Sequence, residues 1–211
     1  SMFLALGEVG VPLEISRNSI LTAEYLEDEE LLNIVKDDLA ETLVDLGFFT
    51  EALSLLDEVS PYWKSHGAIV LALCADTNRA AALHGVGRTD EAKQLLSQLA
   101  STAQNLDSKN NIINVALVSG DIELAEGNSN GALANYLYAA EISAKAGDEP
   151  WLERFSWLQV ATAHHDLGNH MESLEILEEL SLEAWGDCVR EQDTHRKLQA
   201  QVLDSLVMQP S

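Results

Sequence analysis

The sequence predicts an all-α fold, a right-handed superhelical solenoid of antiparallel helix pairs, and three observations carry that reading. One frame recurs four times: Gly47, Ala52, Leu56, Val59; then Gly87, Ala92, Leu96, Leu99; then Gly127, Ala132, Tyr136, Ala139; then Gly168, Ser173, Leu177, Leu180. Subtracting successive glycines gives spacings of 40, 40 and 41 residues. At such a period each unit buries its apolar face only against its neighbours. Second, an amphipathic segment leads into the frame's first glycine, where a left-handed helix end is nearly free of strain only without a Cβ. Third, 46% apolar residues against 22% charged, with four prolines, allow a substantial core and exclude broad disorder.

Taken in order, residues 2–28 read as an incomplete opening repeat. Gly7 lies 40 residues before Gly47, and Pro12 stands where the other units place their small residue. A helix from about Pro12 to Tyr25 is compatible with proline in a first turn, with Leu13, Ile20 and Leu21 as its apolar residues. The first complete pair spans 29–60, and Ser60-Pro61 open the second, 61–105, again with proline in a first turn. Its first helix, through Ala68-Ile69-Val70-Leu71-Ala72-Leu73 to Leu83, is apolar enough to be central. Asp107-Ser108 start the third pair, 108–147, and Glu149-Pro150 the fourth, 149–185. A last segment, 188–208, richer in Arg, Lys and Gln, fits the polar cap that a solenoid needs at its open end. All of this forms one array, expected as a single domain over residues 1–211.

Each member of the frame has a physical task. Glu51 and Glu91 fall in the first turn of the second helix, where the helix dipole favours an anion. Ala52, Ala92, Ala132 and Ser173 are small where two helices approach closely, and Leu56, Leu96, Tyr136 and Leu177 follow one turn later on the same face. This frame resembles the tetratricopeptide repeat (TPR) family: Leu46-Gly47 then Glu51-Ala52, Gly87 then Asp90-Glu91-Ala92, and Leu167-Gly168 then Glu172-Ser173. The resemblance covers roughly residues 30–185, and Trp157 falls where the family often has a tryptophan. The period exceeds the usual 34 residues, as in the longer helix pairs of bacterial regulators and kinesin light chains. The third unit departs most, with Asn128-Ser129-Asn130-Gly131 where the others carry charge.

What the resemblance implies about sites is a concave groove lined by the first helix of each pair. Helical spacing places Asp37, Glu41 and Asp45 there in the first unit, then Thr77, Ala81 and His84, then Leu117, Asp121 and Leu124, then Leu158, Thr162 and His165. One TPR subgroup grips a peptide's C-terminal carboxylate with Lys, Arg and Asn from these positions; Asp37 and Glu41 occupy the matching places here and argue against that mode.

Charge sharpens the expected partner. The net charge of −23 disfavours nucleic acid and anionic membrane as direct ligands. Between Glu24 and Glu58 stand twelve carboxylates and one basic residue, Lys36. Asp37, Glu41 and Asp45, at i, i+4 and i+8, form one strip whose like charges disfavour the helix slightly. A basic protein or peptide partner is the functional reading of that strip, and solubility its plain alternative. No run reaches the roughly 20 apolar residues of a membrane helix, and Met2-Phe3-Leu4-Ala5-Leu6 lacks the basic lead-in of a signal peptide. Two distant cysteines, Cys74 and Cys188, suggest reduced thiols in a cytoplasmic setting.

The sequence carries no phosphate loop, GxSxG, HExxH or CxxC pair, so no enzyme, cofactor or metal is expected. Among its histidines, His164 and His165 point about 100° apart on a helix and cannot easily share a metal, and His170 lies beyond the Gly168 turn. The expected function is an interaction module, a scaffold or adaptor that binds a peptide or helix of another protein. The alternative is a ligand- or peptide-sensing segment of a larger bacterial regulator.

Overall fold

The computed structural model describes residues 10–147, 149–180 and 189–208. Among them run ten helices and no strand: α1 (Gly10–Tyr25), α2 (Glu29–Asp45), α3 (Phe49–Ser65), α4 (Ile69–Gly85), α5 (Thr89–Asn105), α6 (Lys109–Ala125), α7 (Ser129–Ala146), α8 (Pro150–Asp166), α9 (His170–Glu179) and α10 (Val189–Met208). Gly7, Cys188 and residues 181–187, placed by the sequence in the opening repeat, the cap and the end of the fourth pair, lie outside the described residues, as does the side chain of Leu13.

The helices keep a tighter rhythm than the glycine frame. From α2 to α9 their starts fall at 29, 49, 69, 89, 109, 129, 150 and 170, every 20 or 21 residues. A left-handed residue closes each turn: Glu27, Gly47, Gly67, Gly87, Asp107, Gly127, Gly147 and Gly168, with φ between 49° and 83°. At Gly47 the hydrogen bonds show why. Gly47 N donates to Val44 O at 3.0 Å and Phe48 N to Leu43 O at 2.8 Å, which satisfies carbonyls that the helix end would leave open.

One boundary differs from the sequence reading. The second pair does not begin at Pro61: α3 continues through it to Ser65, and α4 begins at Ile69. A proline inside a helix disfavours it by about 3 kcal/mol. Here the buried stripe of α3 runs across it, with Leu56, Val59, Ser60 and Trp63 all buried, and burying Trp63 outweighs the lost backbone bond. The first two pairs are therefore 29–65 and 69–105.

The helices group into two compact units, Ser1–Thr102 and Ala103–Ser211, with the boundary inside α5. In the first, α1 packs on α2, α2 on α3 and α3 on α4. Its core joins Leu39, Leu43, Leu56, Val59 and Trp63 with the small Ala40, Ala52 and Ala72. On α1, Ile20 packs against this core, whereas Leu21, also expected to be apolar contact, is 62% exposed because the helix turns it outward. In the second unit α6 packs on α7, α7 on α8, α8 on α9 and α9 on α10. Trp157 on α8 touches both of its clusters, one around Tyr136 and Val160, the other around Leu177, Leu198 and Val202.

The frame's small residues are buried as expected: Ala52, Ala92, Ala132 and Ser173 are each 0% exposed. The serine fits because its hydroxyl donates to Ala161 O at 2.8 Å. The third unit's departures also have causes. Asn128 caps α7 by accepting from Gly131 N at 3.1 Å while its amide donates to Glu123 Oε2, and a Cβ on Gly131 would lie 2.4 Å from that amide nitrogen. Tyr136, where other units have leucine, sits on Gly120, where they have Ala40, Ala80 or Ala161.

Candidate functional site

The acidic strip of α2 is real but unevenly exposed. Glu41 and Asp45 are more exposed than Asp37, which is half-buried. The indole of Trp63, held in the core by α3, donates from Nε1 to Asp37 Oδ2 at 3.2 Å. Asp37 Oδ1 is buried with no hydrogen-bond partner among the described residues. Burial pushes the Asp37 carboxyl up to about 6; Asp38 and Glu41 push the same way, and the Trp63 bond opposes them. Glu41 is also raised, by burial first and then by Asp45 and Asp38. Cys74, on α4, shares this environment: burial, then the charges of Asp37 and Glu41, push its thiol up to about 11. The stretch's one basic residue does not neutralise the strip, because Lys36 Nζ is bound to Glu58 Oε2 at 2.6 Å on α3.

A raised carboxyl is a cost to folding at neutral pH, and its sign is testable. The folded state holds the Asp37 proton more tightly than the unfolded chain does. The penalty is therefore full above about pH 6 and fades as pH falls toward the ordinary value of 3.8. Asp37→Asn, which keeps an acceptor for Trp63, should raise the melting temperature at about pH 7.5 and leave it nearly unchanged at about pH 4. Thermal melts at the two pH values check this; equal shifts at both would detach the effect from ionisation.

The other positions assigned to the groove divide. Thr77, Leu117 and Leu158 are 2%, 6% and 1% exposed and present nothing to a partner. Thr77 Oγ1 donates to Leu73 O at 2.8 Å, so its polar atom is satisfied within α4, while Leu117 and Leu158 join core clusters. Ala81 is half-buried, and His84 pairs its Nδ1 with Thr89 Oγ1 at 3.0 Å. In the second unit the exposed Asp121 accepts from Tyr136 Oη at 2.6 Å, Leu124 packs against the core, and Thr162 Oγ1 donates to Leu158 O at 3.0 Å. His165 meets His170 across the Gly168 turn, Nδ1 to Nδ1 at 3.1 Å. In the first unit the structure thus brings together Asp37, Glu41 and Cys74. The cysteine was legible only as a thiol, because its place beside α2 depends on how α4 packs.

No protein-family model and no curated sequence matches the chain. Solved structures do. A kinesin light chain of Podosopora anserina with nearly identical TPR-like repeats aligns with a TM-score of 0.55 at 19% identity, over 83% of this chain and 96% of that one. A signal-transduction ATPase with numerous domains from Pyrococcus horikoshii, carrying a tetratricopeptide repeat sensor, aligns with a TM-score of 0.66 at 16% identity. The fold is TPR-like. That second alignment covers 99% of this chain but 31% of the ATPase. BtubC from P. vanneervenii aligns with a TM-score of 0.59 at 14% identity, over 84% of this chain and 74% of that one. Among the described residues no helix is long and apolar enough to cross a membrane.

Proposed function

We propose that this TPR-like chain is a protein-interaction module, and that the face formed by α2 and α4 in the first unit receives basic side chains of a partner's peptide or helix. One observation carries the reading: Asp37 is a half-buried carboxyl with an unbonded oxygen, raised toward neutrality, while the nearby Lys36 is committed to Glu58. A carboxylate that lacks a counter-charge gains most from an incoming Lys or Arg, because the anion's burial is already met in the free protein. Glu41 and Asp45 extend the strip and would speed encounter at low salt.

Reversing Asp37 and Glu41 to Lys should weaken a partner captured from the source cell by at least about tenfold, the equivalent of roughly 1.4 kcal/mol. It should also flatten the salt dependence of binding. Because a bound cation lowers the Asp37 pKa, binding near pH 6 should release protons, readable by calorimetry in buffers of different ionisation enthalpy. If affinity and salt dependence both survive the reversal, the strip serves solubility alone. A second reading is favoured by the likeness to the Pyrococcus horikoshii sensor region: a sensing segment of a larger signalling regulator. A P-loop or helix-turn-helix encoded in the adjoining reading frame would support it.

A further inference from the structure

The turn between α8 and α9 holds two imidazoles in an arrangement that the proposed interaction face does not use. His165 lies in the last turn of α8 and His170 is the first residue of α9, and their Nδ1 atoms are 3.1 Å apart. We propose that this pair is a chelating site for a borderline divalent transition metal such as Zn²⁺ or Ni²⁺. Imidazole nitrogen suits these ions, whereas Mg²⁺ and Ca²⁺ take oxygen donors. With metal–nitrogen bonds of about 2.05 Å, donors 3.1 Å apart subtend about 100° at the metal, between the square-planar and tetrahedral angles. To bind one ion together, each ring must turn its Nδ1 lone pair away from its partner and toward a common point outside the pair.

The turn holds the pair in advance. Gly168 N donates to His165 O and Asn169 N to His164 O, each at 2.9 Å, and Gly168 has φ of 81°. The backbone of the site therefore needs little further ordering on binding. His164 has a different partner, its Nδ1 meeting the Asn169 amide at 3.4 Å, so it stands outside the pair. Exposed carboxylates at Asp166 and Glu172 and the net charge of −23 favour cations near the turn. In the free protein one ring donates its Nδ1 proton to the other. Coordination needs both rings protonated at Nε2, so the donor ring releases its Nδ1 proton to solvent and takes one at Nε2, with no net change in charge.

The chain contains its own control. The α4–α5 turn has the same backbone bonds, Gly87 N to His84 O and Arg88 N to Leu83 O, and pairs His84 with Thr89 in place of a second histidine. His170→Thr therefore converts the later turn to the earlier one with its local partner kept, and Thr89→His does the reverse.

Titration of the full chain with ZnCl₂ and with NiCl₂, followed by calorimetry and by imidazole nitrogen shifts in NMR, tests the site at neutral pH. One saturable ion per chain is expected. His170→Thr should weaken it by at least the about 10- to 100-fold seen for loss of an outer-shell partner. His164→Ala should leave it unchanged, and Thr89→His should add a second ion per chain. Circular dichroism melts confirm that each variant is folded. Absence of saturation at millimolar metal, survival of binding in His170→Thr, or an equal loss in His164→Ala would overturn the proposal.

Discussion

Gly120→Ala should destabilise the protein by about 1–3 kcal/mol, although alanine is the better helix former by roughly 1 kcal/mol. The sign is the point. A Cβ built at Gly120 lies 2.3 Å from Tyr136 Cε1 and 2.6 Å from Cδ1, far inside contact distance. The ring has little room to retreat: it is fully buried, and its hydroxyl is bound to Asp121. Elsewhere in the chain the same pair of positions holds Ala40 with Leu56, Ala80 with Leu96 and Ala161 with Leu177. Gly120 is thus the partner of an unusually large residue, and Gly120→Ala with Tyr136→Leu recreates the commoner pair. Tyr136→Leu alone should leave a void and also destabilise. Denaturant unfolding of the four proteins closes a double-mutant cycle, and the double variant should recover much of the loss of either single one. If Gly120→Ala instead stabilises the chain, helix propensity outweighs the clash and the pairing has no energetic content.

That pair also shows how far sequence could carry the fold. The 40-residue frame was visible because Gly47, Gly87, Gly127 and Gly168 mark alternate turns. The 20-residue rhythm beneath it was hidden, since Glu27 and Asp107 adopt the left-handed conformation that glycine would advertise. At such turns a side chain is tolerated at a strain of about 1–2 kcal/mol, and residue identity stops reporting geometry. Pro61 misled in the opposite direction: its local preference for a helix start yields to the burial of Trp63 two residues on. The acidic strip was legible from spacing alone. Its internal differences were not, because the state of Asp37 depends on its burial and on Trp63, 26 residues away. The His165–His170 pair was missed for a related reason. Reasoning within one helix correctly separates His164 from His165, but the Gly168 turn brings in a residue from the next helix.

Lys64→Ala should destabilise the first unit by about 3 kcal/mol, the largest effect expected of any half-exposed residue here. Asp76 on α4 is 3% exposed; Ser60 Oγ donates to its Oδ1 at 2.6 Å, and Lys64 Nζ lies 2.7 Å from its Oδ2. Removing the lysine leaves a buried carboxylate with one neutral donor, and loss of one partner of a buried pair is strongly destabilising even where the intact pair contributes little. The figure sits at the low end of the usual range because half of the Lys64 side chain is already in water. The second unit meets the same positions differently. Counting by the repeat, Ser60 and Lys64 correspond to Ala140 and Ala144, and Asp76 to Trp157, which packs against the apolar cluster that includes Ala140. An apolar solution at this junction is therefore compatible with the fold. Ser60→Ala, Lys64→Met and Asp76→Leu combined should be at least as stable as the parent, to within about 1 kcal/mol. Denaturant unfolding of the single and triple variants separates the two explanations. A harmless Lys64→Ala would show that solvent and Ser60 suffice for the carboxylate. A triple variant as unstable as Lys64→Ala would show instead that α3 and α4 need the polar triad itself to fix how they meet.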